Sequence, residues 1–112
     1  MTPPLAPPLI VHRDEIARLC RLYGVERLEV FGSAADGRFD PQRSDFDFIA
    51  TFAPEAQATI GPRFIELAEA LEAVLGRRVD LLTNQPIRNP YLSRAVNASL
   101  RDLYVRPTAE AS

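Results

Sequence analysis

Two aspartates, Asp45 and Asp47, stand at the head of the apolar run in SDFDFIATF, and a third, Asp80, interrupts the apolar stretch of RRVDLLT. Residues two apart on an extended strand project to the same face, about 6 to 7 Å apart along the chain. Two ionised carboxylates so placed raise each other's pKa. A divalent cation between them reverses that cost, and Mg²⁺ favours such oxygens while keeping water and substrate phosphates as its other ligands. If the strands carrying Asp47 and Asp80 are neighbours, three carboxylates share one face. Such a set can hold two metal ions roughly 3.5 to 4 Å apart, the arrangement that clamps attacking and leaving oxygens in phosphoryl-type transfer. Each acid also has a plainer reading as a solvated strand-end residue. That reading suits Asp45, which borders a loop, better than Asp47 and Asp80, which apolar residues flank.

Ahead of the acids comes Gly32-Ser33, separated from Asp45 by the eleven residues Ala34 to Ser44. A glycine lets a phosphate approach the backbone, Ser33 offers a hydroxyl, and the N–H groups that follow point at an anion. Alone, Gly-Ser after a strand is a plain turn. Its meaning comes from the loop that returns the chain to Asp45 and Asp47, placing phosphate contacts and metal ligands together. No P-loop and no dinucleotide-type glycine fingerprint occurs, and the glycine and distal Glu of a calcium loop are absent.

The elements that must position these residues are legible from periodicity. A helix begins between Val11 and Asp14, carries Ile16, Leu19, Cys20 and Tyr23 on one face and stops at Gly24. A strand over 26–31 follows, then a single helical turn over 33–36 and a loop over 39–44. A second strand, 46–52, turns Phe46, Phe48, Ala50 and Phe52 one way and Asp47, Ile49 and Thr51 the other, with Asp45 on the latter side. After a connection over 54–61, Pro62 fits the first turn of a helix whose stripe is Phe64, Leu67, Ala68, Leu71, Val74 and Leu75. A third strand spans 79–82, a last helix about 90–100, and Leu103 to Val105 form a short extended segment. The expected fold is α/β: a three-stranded mixed sheet covered by helices on one face. A Pro-rich segment over 1–9, extended or loosely ordered around residues 2 to 8, precedes a single domain over 10–106 and a tail over 107–112.

The chain has 112 residues, 46% hydrophobic and 25% charged, with a formal net charge of −2. That is the balance of one soluble domain and gives no general attraction for nucleic acid. A polyanionic substrate then calls for metal ions or a few placed arginines. The single cysteine, Cys20, excludes an internal disulfide and reads as a buried, inert thiol. His12 reads as a surface or cap residue. No stretch approaches a membrane span, and the start, with four prolines and no basic segment, is not a signal peptide, so a cytoplasmic protein is expected.

Taken together, VFGSAADG, SDFDFIATF and LGRRVDLLT resemble the minimal nucleotidyltransferases (MNT-domain proteins) of the DNA polymerase β-like superfamily, from about Val25 to Thr83. The resemblance implies that Gly32 and Ser33 hold nucleotide phosphates and that Asp45 and Asp47 bind two Mg²⁺ ions. Asp80 would complete the metal site and help activate the incoming hydroxyl. Small proteins of this kind resemble the antitoxin of HEPN–MNT toxin–antitoxin pairs, which implies transfer of AMP from ATP to a tyrosine of a partner HEPN ribonuclease, in a hetero-oligomer. A chain this short leaves little room for an acceptor-binding domain, which agrees with an acceptor brought by a partner. Two departures are visible: the loop before Asp45 is one residue longer than usual, and Ala34 stands where that group often has Arg, for which Arg38, Arg43 or Arg63 could substitute although each reads first as a solvated surface residue. These departures slightly favour an alternative, an antitoxin that neutralises its partner by binding alone, while retention of all three acids argues against it. A small-molecule nucleotidyltransferase is the other alternative, although such enzymes usually add a helical domain.

Overall fold

The second strand dictates the rest of the architecture, because alternation along it gives one fully apolar face that must be covered. In the computed structural model, which describes residues 4–40, 42–83 and 99–107, this strand is β2, Phe46–Phe52. Phe46, Phe48 and Ala50 are wholly buried and Phe52 nearly so. The rings of Phe46 and Phe48 stack with centroids 6.0 Å apart, and Phe39 from the preceding loop lies on Phe46 at 4.8 Å.

Four strands make the sheet, in the order β3-β2-β1-β4. The others are β1 (Val25–Phe31), β3 (Val79–Thr83) and β4 (Arg101–Val105). β1 runs antiparallel to both β2 and β4, and β2 runs parallel to β3. The parallel pair needs a crossover. It is built from a 3₁₀ segment, Pro54–Thr59, and the long helix over Ile60–Leu75. The expected three-stranded sheet is therefore one strand short. The segment foreseen as extended around Leu103 is a paired edge strand, with Leu28 opposite Tyr104 and Val30 opposite Arg101. Five residues beginning Arg-Asp carry no clean alternation, and the pairing that makes them a strand lies in distant sequence. The helix expected over 90–100 lies outside the described residues, apart from its last two positions.

Helices cover the Phe46/Phe48 face. Helix α1 is Pro7–Val11, α2 is Arg13–Tyr23, α3 is the single turn Ser33–Asp36, and α4 is the crossover helix. α2 buries Ile16, Leu19 and Cys20, and α4 buries Leu67, Leu71 and Leu75, each at helical spacing. Burial pushes the Cys20 thiol up to about 12, so it is unreactive as expected. His12 sits at the N-cap of α2, its ring 3.1 Å from Glu15. No helix among the described residues is long and apolar enough to cross a membrane.

The N-terminal segment, from residue 4 on, is packed and turns helical at Pro7, in place of the extended or loosely ordered chain expected of it. Pro7 and Pro8 occupy the first turn of α1, where a missing N–H costs nothing. Leu5, Ala6 and Leu9 are buried in the core, and the Ala6 N–H donates to the Ala34 carbonyl at 2.9 Å. Proline content misleads here because the apolar residues between the prolines have a core to join.

Near the start of α4, Gly61 is open: a Cβ there meets nothing within 4 Å. Gly61→Ala is expected to stabilise the protein by about 0.5 to 1 kcal/mol through helix propensity. Urea unfolding checks it, since the midpoint should rise with an unchanged slope.

Candidate active site

The sheet face opposite the Phe46/Phe48 side carries the acids. Asp47 is the second residue of β2 and Asp80 the second of β3, and the parallel register sets them side by side. On its other flank Asp47 pairs with Phe31 of β1. Phe31 and Ile49, with Leu82 and Leu100 against them, form a small second apolar cluster on this face. Asp47 thus stands between an apolar floor and a second carboxylate. Its pKa is pushed from the ordinary 3.8 up to about 6, first by desolvation, then by the charge of Asp80 and a side-chain hydrogen bond with it, and last by the charge of Asp45. A proton shared between two carboxylates belongs to the pair rather than to either residue.

Asp45 immediately precedes β2, and a tight turn delivers it. The Asp40 carbonyl accepts the N–H groups of Arg43 and Ser44, the Asp40 carboxylate accepts the Gln42 N–H, and the Ser44 hydroxyl accepts the Asp40 N–H. Arg77 donates to the Ser44 carbonyl at 2.5 Å, and the Phe46 N–H donates to the Arg78 carbonyl. The backbone on both sides of Asp45 is therefore tied to the approach to β3. Asp45 is felt at Asp47 only through its charge. Among the described residues no three acid, histidine or cysteine side chains gather in a way that could hold a metal ion. The built part of the site is the Asp47–Asp80 pair, with Asp45 beside it, an arrangement that mutual repulsion of three carboxylates favours.

Gly32 follows β1 and abuts Asp47. Its φ of 75° and ψ of −154° belong to a region open only to glycine. A Cβ built on it would lie 2.8 Å from Asp47 Oδ2. The Gly32 carbonyl accepts the N–H groups of Ala35 and Asp36 and so starts α3. Ser33 is half-buried at the head of that turn, where backbone N–H groups lack intrahelical partners. It also lines a cleft of about 230 Å³ whose walls include Leu5, Ile10 and Phe39.

Ala34 has a structural explanation. It is 1% exposed and covered by the N-terminal segment through the Ala6 hydrogen bond, so this chain has no room for an arginine there. Two of the arginines considered as substitutes are engaged elsewhere: Arg38 is exposed and paired with Asp36 at 2.6 Å, and Arg63 bonds Thr59 at the start of α4. Arg43 is exposed in the loop before Asp45. Sequence reasoning missed Arg77, Ser99 and Arg101. Arg77 holds the loop before Asp45, the Ser99 hydroxyl accepts the Gly32 N–H at 2.8 Å, and Arg101 donates to the Ala35 carbonyl at 3.3 Å. Nothing local marks them, because strand pairing across the sheet brings them in.

Comparison with known proteins agrees with this geometry. The family model for a nucleotidyltransferase domain matches residues 14–103. The protein adenylyltransferase MntA of Thermococcus cleftensis is 36% identical over 81 residues, covering 72% of this chain and 75% of that protein. A candidate protein adenylyltransferase of Methanocaldococcus jannaschii is 35% identical over 78 residues, covering 70% of this chain and 76% of that one. A solved structure of a candidate minimal nucleotidyltransferase superposes with a TM-score of 0.65 at 30% identity, over 83% of this chain and 90% of that one. The fold is shared, at 20% identity and a TM-score of 0.56, with a structure of a tri-AMPylated Shewanella oneidensis HEPN toxin in complex with an MNT antitoxin, over 88% of this chain and 73% of that one.

Proposed function

The chain belongs to the nucleotidyltransferase-domain family, and from that premise we propose that it is an antitoxin transferring AMP from ATP to a tyrosine of a partner HEPN ribonuclease, in the cytoplasm. The observation that carries this reading is the Asp47–Asp80 pair, set in register beside the Gly32-Ser33 turn. The donor set suits a hard cation. It offers carboxylate oxygens only, while His12 is engaged on the surface and Cys20 lies in the core. Asp45, Asp47 and Asp80 would hold Mg²⁺, two ions in the full reading, which when bound supplies charge neutralisation on the triphosphate.

The chain's own groups do the rest. Ser33 offers its hydroxyl and its own backbone N–H to the nucleotide phosphates. Asp80, the more exposed of the paired acids, is the one open to an incoming acceptor hydroxyl. The tyrosine oxygen bonds to the α-phosphorus, the bond from that phosphorus to pyrophosphate breaks, and the phenolic proton passes to the carboxylate pair. The low net charge agrees with a protein acceptor rather than direct nucleic-acid binding. A second reading, neutralisation by contact alone, is favoured by the longer loop before Asp45 and by the buried Ala34 that follows the Gly-Ser turn.

Label transfer separates the two. The protein is incubated with ATP labelled at the α-phosphate, Mg²⁺ and lysate of its native host, beside an Asp45→Asn/Asp47→Asn variant. Label on a small helical protein, absent with the variant, is the expected result. Label that persists with the variant sinks the site assignment. No label, with such a protein nonetheless co-purifying, establishes the contact reading.

A further inference from the structure

The Gly-Ser turn is gripped from the C-terminal side of the sheet. Ser99 and Arg101 are two residues apart. The Ser99 Oγ accepts the Gly32 N–H at 2.8 Å, and Arg101 Nη1 donates to the Ala35 carbonyl at 3.3 Å, so the two bracket both ends of the turn. Gly32 needs such a hold. A glycine at positive φ has no side chain to fix it and populates many backbone conformations. The free side of its Cα is taken up by Asp47 Oδ2, 2.8 Å from where a Cβ would be. A rotation of the peptide before Gly32 would therefore disturb both the acid pair and the direction of the N–H groups that follow.

We propose that Ser99 is a positioning residue for nucleotide binding: its hydroxyl holds the Gly32 N–H and thereby fixes Gly32 against Asp47 and, with it, the Ser33 backbone and hydroxyl that follow. This rests on the transferase reading above. Ser99 does not touch the reacting atoms; it acts through Gly32. A threonine keeps the accepting oxygen, whereas an alanine leaves a partly buried N–H without its partner.

The test compares the full chain with Ser99→Ala and Ser99→Thr. The amide of Gly32 is followed by NMR hydrogen exchange, alongside titration with ATP and steady-state label transfer. Ser99→Ala should speed exchange at Gly32 and raise the KM and the dissociation constant for ATP roughly fivefold, the value of one hydrogen bond, with kcat little changed. Ser99→Thr should restore both. An unchanged Gly32 amide, or a lowered melting temperature with unchanged ATP affinity, would overturn the proposal. If the wild-type chain binds ATP but transfers nothing, the transferase reading falls and the ATP titration still decides the role of Ser99. If it binds no ATP, both fall.

Discussion

Asp47→Asn is expected to abolish transfer and, in the same protein, to raise stability at neutral pH. The loss of activity follows from the position of Asp47 at the centre of the acid set, and removal of a single charge-stabilising group commonly costs 10²- to 10³-fold. The gain in stability follows from the sign of its pKa shift. The folded value, about 6, lies above the ordinary 3.8. The folded state therefore binds the extra proton between those values, and stability falls as pH rises through that window. Above it the native state carries a carboxylate that burial and its neighbours disfavour. Asn removes that charge and still hydrogen-bonds Asp80. Since Asp47 is only partly buried, solvent screening limits the gain to about 1 to 2 kcal/mol, a rise of several degrees in melting temperature. Thermal melts in a chelating buffer at pH 8 and pH 4 check the sign: the variant should lead at pH 8 and lose its lead at pH 4. A variant less stable at pH 8 would contradict the crowded-carboxylate account.

Gly32→Ala is expected to damage both fold and activity. Two costs add. The φ of 75° with ψ of −154° strains any residue bearing a Cβ, at about 1 to 3 kcal/mol. The new methyl would also meet Asp47 Oδ2 at 2.8 Å, closer than real Cβ contacts, so the carboxylate must move. The melting temperature should drop by roughly 10 °C, and transfer should fall with the displaced acid. A double-mutant cycle separates the costs. In an Asp47→Ala background the steric term disappears and only backbone strain remains, so the stability loss from Gly32→Ala should shrink. Equal losses in both backgrounds would show that Gly32 and Asp47 are not in contact.

What was legible in the sequence is what local pattern encodes. The alternation of Phe46, Phe48, Ala50 and Phe52 fixes both the bounds of β2 and the face on which Asp47 stands. The stripe of α4 and the glycine that ends it are equally local. That Asp47 and Asp80 meet depended on one guess about neighbouring strands, and the parallel register agrees with it. What escaped notice depends on tertiary context. β4 is a strand because β1 lies beside it. Leu5 and Leu9 are core residues despite the prolines around them. Ala34 looks like a missing arginine until the N-terminal segment is seen to fill that space. Ser99 is an ordinary serine until strand pairing carries it to Gly32.

The parallel pairing of β2 with β3 also bears on when the molecule becomes competent. Asp47 and Asp80 lie on opposite sides of the crossover helix in sequence, so no local hairpin can bring them together. Their juxtaposition waits for a non-local contact, the slowest kind to form, because loop closure must precede the contacts that reward it. Pairing of the hairpin strands β1 and β2 is local and needs no such wait. During synthesis the Gly-Ser turn and the first two acids emerge before α4 and β3, and β4 with Ser99 emerges last. A nascent chain thus carries Gly32, Ser33, Asp45 and Asp47 before the register that would align them with Asp80 can form.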